Sequence, residues 1–175
     1  LDHHNYEWRP AESLLRGLRA AEGPVVLCTS KTLAETVWWQ RELDLEGNPC
    51  IVENGGAVVW GPGDVEKLGV PYAELRRALA EACGEARCPV NGFGDMSLQE
   101  VMAVCGLEAE QAERARLRDW DEPFVVDQDP AELLAAINRR GLSWSRGGRF
   151  YHIHGRNDKA EAARRVIARL SRQGP

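Results

Sequence analysis

The sequence predicts an α/β fold in which a partial doubly wound, Rossmann-like parallel sheet forms a core and carries an inserted α+β cap. In the N-terminal third, helical periodicity alternates with short apolar runs rich in β-branched residues, which is the order of a parallel sheet covered by helices. After Gly61-Pro62-Gly63 this alternation stops, and it returns only at the C-terminal end. We therefore assign residues 1–61 to the core, 62–153 to the cap and 154–175 to a returning core segment.

The first core segment alternates helices and strands. Thr32-Leu33-Ala34-Glu35 has the spacing of a capping box, which predicts a helix start, and Asn54-Gly55-Gly56 is a turn that could join two strands as a hairpin. The predicted elements are a helix at 10–22, a strand at 25–28, a helix at 32–43, and strands at 50–52 and 57–60.

The cap and the returning segment follow the same kind of evidence. Ser97-Leu98-Gln99-Glu100 is a second capping box, Asp129-Pro130 is a typical helix start, and Gly147-Gly148 is typical of a tight hairpin turn. The predicted cap elements are helices at 72–82, 98–105 and 109–117, a strand at 124–126, a helix after residue 130, and strands at 142–145 and 149–154. A final helix is predicted from about residue 157 to 170.

Composition excludes several classes of protein. The chain of 175 residues has a net charge of −5, and its basic residues are scattered among acidic ones, so no basic stripe is available for nucleic acid. No apolar run approaches the roughly 20 residues of a membrane span, and the first residues do not resemble a signal peptide. Five cysteines, an odd number, lie mostly in apolar stretches and favour a reducing, cytoplasmic compartment.

Two places carry the best candidates for chemistry. Thr29, Ser30 and Lys31 lie where a buried strand ends and a helix begins, which is where open α/β sheets bind ligands and where a helix N-terminus attracts phosphate. The same residues also fit an ordinary helix-capping loop. Lys159 opens the last helix, where its charge opposes the helix dipole in a chain with only three lysines, so a functional role against a phosphoryl group is favoured.

Other pairs favour packing over function. His152 and His154 share one face of a predicted strand and could ligate a metal, but the sequence offers no third ligand, so a packing or hinge role is preferred. Cys83 and Cys88 could form half a zinc site without a matching second pair. Trp38-Trp39 is more typical of packing than of a sugar platform.

A series of short segments resembles mannosyl-3-phosphoglycerate phosphatases of the haloacid dehalogenase superfamily, of the Cof type. Each segment alone is weak evidence, but six of them occur in the same order with matching gaps. They are residues 25–32 (VVLCTSKT), 51–57 (IVENGGA), 94–96 (GDM), 122–124 (EPF), 147–152 (GGRFYH) and 157–159 (NDK).

The resemblance implies roles for individual residues. Thr29 matches the phosphate-binding hydroxyl and Lys159 matches the lysine that balances charge between the nucleophile and the phosphoryl group. Further residues are expected to border the pocket or to contact the sugar and glycerate groups; they are Ser30, Lys31, Asn54, Gly55, Asp95, Glu122, Arg146 and Arg149. In that superfamily an aspartate of an Asp-x-Asp-Gly-Thr loop attacks phosphorus, and this chain has no such loop.

The resemblance therefore implies a Mg²⁺-dependent phosphomonoester hydrolase that acts on mannosyl-3-phosphoglycerate through an aspartyl-phosphate, with the nucleophile and the Mg²⁺ ligands outside this chain. Leu1-Asp2 resembles the dipeptide that follows the nucleophile loop, and both ends of the chain resemble cuts. Two alternatives remain open. One is a non-catalytic fragment that binds phosphate or a partner, and the other is a phosphatase for glucosyl-3-phosphoglycerate or another sugar phosphate.

Overall fold

A computed structural model of the protein describes residues 8–20 and 23–173. Leu1 and Asp2, and the predicted end of the first helix at 21–22, lie outside the described residues. The helices are α1 Glu12–Ala20, α2 Leu33–Glu42, α3 Tyr72–Ala86, α4 Leu98–Cys105, α5 Ala109–Arg116, α6 Ala131–Arg139 and α7 Lys159–Gln173. The strands are β1 Leu27–Cys28, β2 Cys50–Val52, β3 Ala57–Gly61, β4 Asp64–Lys67, β5 Asn91–Gly92, β6 Asp121–Val125, β7 Ser143–Arg146 and β8 Tyr151–His154.

The first sheet has the strand order β1-β2-β3-β4. Strands β1 and β2 pair in parallel, with helix α2 as the connection between them, while β2, β3 and β4 form antiparallel hairpins. Side chains alternate between its faces. Ile51 and Val58 pack on α7, whereas Cys50, Val52 and Ala57 pack on the opposite side, towards α2 and Trp120. Strand β2 and the first two residues of β3 are therefore buried, whereas in β1, which was predicted to be buried, Leu27 is half-buried and Cys28 is exposed.

The second sheet is antiparallel and has the order β5-β6-β8-β7. Helices α3 and α6 pack on one face around Phe124 and Ile153, which are both fully buried. Helices α4 and α5 build a smaller cluster around Met96 and Val101. This is the α+β unit that the change of pattern after residue 61 predicts.

Local sequence signals place most helix starts correctly. Both capping boxes form, at Thr32 with Glu35 and at Ser97 with Glu100. The N–H of Ala131 donates to the Asp129 carboxylate at 3.1 Å, so Asp129 supports the start of α6 as predicted, although Pro130 is the N-cap. None of the helices among residues 8–20 and 23–173 is both long and apolar enough to cross a bilayer.

Two strands differ from the sequence prediction. Gly61-Pro62-Gly63, after which the sequence predicts that the cap begins, contains the turn of the β3–β4 hairpin, so the first sheet continues to Lys67. Strand β4 was not predicted because its alternating polar residues resemble a loop. Strand β5 was not predicted either, since Asn91-Gly92 has the composition of a turn. The fold class is otherwise confirmed as mixed α/β, with parallel pairing between β1 and β2.

Candidate functional site

A cleft of about 400 Å³ opens between the loop after β1 and the β7–β8 turn of the second sheet. Basic and aromatic side chains line much of its wall, together with two hydroxyl-bearing residues. Its polar and aromatic lining residues are Thr29, Ser30, Lys31, Glu35, Phe93, Arg118, Arg149, Phe150 and His152. The cleft thus brings the predicted phosphate loop of the first sheet together with the predicted glycine turn of the second.

The loop after β1 is held in one conformation by local hydrogen bonds. The Thr29 hydroxyl accepts from the N–H of Lys31 at 3.1 Å, and the Lys31 ammonium contacts the Glu35 carboxylate at 2.9 Å. Glu35 also accepts from the N–H of Thr32, which completes the capping box of α2. Because this box occupies the N–H groups of Thr32 and Glu35, the polar face that the loop presents to the cleft comes chiefly from residues 29–31.

A strained turn stands directly behind that loop. Glu53, Asn54 and Gly55 all have positive φ values, of 45°, 57° and 88°, a conformation that is uncommon for residues other than glycine. The N–H of Glu53 donates to the carbonyl of Lys31 at 3.0 Å, and the N–H of Asn54 donates to the carbonyl of Thr29 at 3.1 Å. The predicted residues Asn54 and Gly55 therefore support the loop and do not line the cleft.

The same turn contacts the start of α7. A Cβ built on Gly55 would lie 2.5 Å from the carbonyl carbon of Asp158 and 2.9 Å from the nitrogen of Lys159. The Lys159 ammonium is also close enough to the thiol of Cys28 to act on it: burial raises the pKa of Cys28, and the positive charge of Lys159 opposes that rise. Lys159 is exposed and, unlike Thr29, is not among the residues that line the cleft.

A buried carboxylate, which sequence reasoning missed, connects the two sheets. Asp121 opens β6 and is fully buried. Its oxygens accept from Asn54 at 2.8 Å, from Arg118 at 3.2 Å and from His152 Nδ1 at 2.8 Å. Burial raises its pKa, but His152, Arg118 and Asn54 together lower it below the ordinary value, so Asp121 is held as a carboxylate.

Arg118 carries this connection to the phosphate loop. Its side chain is 6% exposed, and its Nη1 donates to the carbonyl oxygen of Ser30 at 3.0 Å as well as to Asp121. The guanidinium also lies 5.5 Å from the centre of the Phe93 ring. Arg118 has no recognisable sequence signal, because it lies in the loop after α5 and outside the segments that resemble the phosphatase family.

Among the predicted cap residues, Arg149 lines the cleft, with its Nη1 donating to the carbonyls of Val104 and Cys105 at the end of α4, both at 3.2 Å. Arg146 lies outside the cleft lining, and its guanidinium stacks over the Tyr151 ring at 5.1 Å. The two arginines are separated by the glycine turn, so a contact with the same small ligand is expected for Arg149 alone.

Asp95 and Glu122 belong to a separate polar network. Arg76 contacts Asp95 at 2.6 Å and Glu122 at 2.8 Å. The fully buried Glu122 also accepts from the Tyr72 hydroxyl at 2.7 Å and from the N–H of Gly94 at 3.0 Å. Burial raises the pKa of Glu122, against these donors. Both carboxylates are engaged away from the cleft lining and hold β5, β6 and α3 together.

No cluster of three or more His, Cys, Asp or Glu side chains suited to a metal ion is found among residues 8–20 and 23–173. The two histidines of the predicted pair have different hydrogen-bond partners. His152 contacts Asp121, while His154 Nδ1 contacts the Gly155 carbonyl at 2.8 Å and its Nε2 contacts Ser145 at 3.3 Å.

No protein-family model matches the chain, whereas individual phosphatases do. The chain is 33% identical to the glucosyl-3-phosphoglycerate/mannosyl-3-phosphoglycerate phosphatase of Methanococcoides burtonii, over 99% of its own length and 70% of that relative. The enzyme of the same name from Persephonella marina is 34% identical, over 97% of this chain and 68% of the relative. The chain belongs to this phosphatase family.

The fold of this family member is that of the haloacid dehalogenase-like proteins. A hydrolase of that type from Bacteroides thetaiotaomicron superposes with a TM-score of 0.64 at 17% identity, over 94% of this chain and 70% of that protein. The likeness at this identity concerns the fold. The chain thus spans about 70% of the length of the relatives that it matches.

Proposed function

We propose that this phosphatase family member binds a phosphorylated sugar–glycerate, such as mannosyl-3-phosphoglycerate, and contributes the phosphate loop and the leaving-group wall of a phosphomonoester hydrolase. The observation that carries the proposal is the shared cleft, in which Thr29 and Ser30 of the first sheet face Arg149 of the second. A ligand with a phosphate at one end and a carboxylate at the other needs anion-binding groups on both walls.

Thr29 and Lys159 are the groups that we assign to the phosphate. The Thr29 hydroxyl already accepts one hydrogen bond from the N–H of Lys31, which leaves its own proton to donate to a phosphate oxygen. Lys159 is exposed at the start of α7, which contacts the 53–55 turn behind the loop, and an ammonium from there would offset the charge on the phosphoryl oxygens. Ser30 and Lys31 complete the loop that faces the ligand.

The nucleophile and the metal ligands would come from outside these 175 residues. The sequence has no Asp-x-Asp-Gly-Thr loop, and we propose that an aspartate from such a loop attacks phosphorus and that a neighbouring aspartate protonates the leaving alcohol. When bound, Mg²⁺ would supply charge neutralisation for the phosphate. The residues described here would orient the ester and offset its charge.

Activity measurements on two lengths of protein test this proposal. The 175-residue chain with Mg²⁺ should release no phosphate from mannosyl-3-phosphoglycerate, because covalent phosphoryl transfer needs a positioned carboxylate that it lacks. The full-length protein should release it. Mg²⁺-dependent turnover by the 175-residue chain would contradict the placing of the nucleophile, and an inactive full-length protein that also fails to bind phosphate would overturn the proposed function.

The sugar is tested separately. The relatives carry both the glucosyl and the mannosyl substrate in their names, so we expect the full-length protein to hydrolyse both compounds. Comparison of kcat/KM for the glucosyl and mannosyl substrates with that for a simple hexose phosphate measures the contribution of the glycerate group. Equal values for all three would show that the glycerate is not recognised.

A further inference from the structure

We propose that His152, oriented by the buried carboxylate of Asp121, is a recognition residue for the carboxylate of the ligand. This inference rests on the proposed function, because it concerns the wall of the same cleft. Neither the family segments nor the comparisons assign a role to this histidine. Its evidence is the arrangement of hydrogen-bonding groups around the imidazole ring.

The ring is held on one side only. Nδ1 lies 2.8 Å from the Asp121 carboxylate, which is held ionised and therefore accepts a hydrogen bond from the Nδ1–H group. The Nε2 side lies at the glycine turn, since a Cβ built on Gly147 would be 3.4 Å from that nitrogen. Within residues 8–20 and 23–173, Nε2 has no hydrogen-bond partner in the protein.

The open imidazole nitrogen is accessible from the cleft. The His152 side chain is 9% exposed, and among the described residues Nε2 does not belong to the buried polar atoms that lack a partner. Here His152 lines the cleft, so the open nitrogen is on the ligand's side of the ring. When the imidazole is protonated, Nε2–H donates to a ligand oxygen while Asp121 balances the ring's charge.

The surroundings of the ring favour a carboxylate over a neutral group. Arg149 stands two residues beyond Gly147 and lines the same wall. Arg118 contacts Asp121 from the other side at 3.2 Å, and the Lys31 ammonium in the cleft lining is paired with Glu35. Among the described residues Arg149 donates only to backbone carbonyls, so a ligand carboxylate between Arg149 and His152 would give that guanidinium an anionic partner.

Asp121 and His152 are also connected to the loop of residues 29–31, which fixes the position of the imidazole ring. Asp121 bonds Asn54, and Arg118 bonds the carbonyl of Ser30, so the position of the imidazole is fixed relative to residues 29–31. The spacing between the phosphate-binding loop and the imidazole is then fixed, and it selects ligands in which the phosphate and the carboxylate are separated by the same distance. Asp121 is the positioning residue and His152 the contacting one.

Binding of two small probes to the full-length protein tests the inference without turnover. 3-Phosphoglycerate carries a phosphate and a carboxylate, whereas glycerol 3-phosphate carries the phosphate alone. Isothermal titration calorimetry in the absence of Mg²⁺ should show at least about tenfold tighter binding of 3-phosphoglycerate. Inorganic phosphate should compete with both probes.

Substitution of His152 by Asn is the decisive variant. The Asn amide can take the place of Nδ1 and keep the Asp121 contact, while the Nε2 position is lost. We expect His152→Asn to weaken 3-phosphoglycerate about tenfold and to leave glycerol 3-phosphate within about twofold. His154→Asn is the matched control, because His154 is equally buried on the same strand and does not line the cleft, and it should preserve the preference.

Each outcome separates the two ideas. If His152→Asn weakens both probes equally, or neither, the assignment of His152 is wrong while the phosphate site stands. If no probe and no phosphate binds to the wild-type protein, the proposed function fails first. Should His152→Asn not fold, the ¹⁵N resonance of His152 Nε2 in the wild-type protein decides the matter. It should shift with 3-phosphoglycerate and stay in place with glycerol 3-phosphate, and the absence of a selective shift would overturn the proposal.

Discussion

Substitution of Gly55 by Ala should destabilise the protein, both through the backbone conformation of residue 55 and through its contact with the start of α7. Gly55 has a φ of 88°, and an Ala there would pay roughly 1–2 kcal/mol for the left-handed backbone. The new methyl would also overlap the backbone of Asp158 and Lys159. Overpacking of this kind costs about 1–3 kcal/mol, which gives a total of about 2–5 kcal/mol.

Two other glycines separate these contributions. Gly47 has a similar φ of 82°, but nothing lies within 4 Å of a Cβ built on it, so Gly47→Ala should show the backbone cost alone. Gly84 lies inside helix α3 with equally open surroundings, and Gly84→Ala should stabilise the protein by about 0.5–1 kcal/mol.

Guanidinium unfolding followed by tryptophan fluorescence measures all three variants. The difference between Gly55→Ala and Gly47→Ala is the steric contribution of the contact with α7. A difference below about 0.5 kcal/mol would refute the close packing of the 53–55 turn on the start of that helix. A measurable difference together with a fall in kcat of the full-length enzyme would link the contact to the placement of Lys159.

The remaining predictions concern charged groups. Lys159→Ala in the full-length enzyme should lower kcat about 10²–10³-fold, because preorganised charge stabilises the transition state. The control, Lys67→Ala at an exposed position of strand β4, should change kcat less than about twofold. Equal small effects of the two substitutions on kcat would show that Lys159 is not part of the site. Burial raises the pKa of Glu53 to about 7, against Arg118 and the N–H groups of Trp120 and Asp119. The folded protein therefore binds this proton more tightly than the unfolded chain, and the stability that Glu53 contributes is lost as pH rises from about 4.5 through 7, by about 3 kcal/mol at most. Thermal unfolding between pH 5 and 8 should show a steeper loss in the wild type than in Glu53→Gln, and parallel curves would contradict the raised pKa.

The sequence predicts those parts of the fold that depend on local chemistry. The capping boxes at Thr32 and Ser97 form because a hydroxyl and a carboxylate three residues apart bond the nearby backbone whatever the tertiary fold. Strand β4 escapes prediction because its pairing with β3 depends on tertiary context and not on an apolar run. The parallel β1–β2 pair is predicted from two short apolar runs that flank a predicted helix, although in the structure only β2 of the two strands is fully buried.

The candidate site divides in the same way. Thr29, Ser30 and Lys31 follow a predicted strand, and their place in the cleft follows from the geometry of a parallel sheet edge. Arg118 could not be found in this way, because its importance lies in two contacts across the chain, with Ser30 and Asp121. No periodicity or spacing in the sequence records such a contact.

The positions of Asp121 and Glu122 in β6 explain why the predicted acid, Glu122, is absent from the cleft lining, whereas Asp121 contacts the cleft residue His152. Successive side chains of a strand point to opposite faces. Asp121 therefore faces His152 and Asn54, while Glu122 faces Arg76 and Tyr72 on the other side of the sheet. The sequence places two acids side by side and does not state which face borders the ligand. In the pairing of β6 with β8, His152 lies opposite Pro123, on the same face of the sheet as Asp121. Its hydrogen bond with Asp121 connects that acid, and not Glu122, to the cleft.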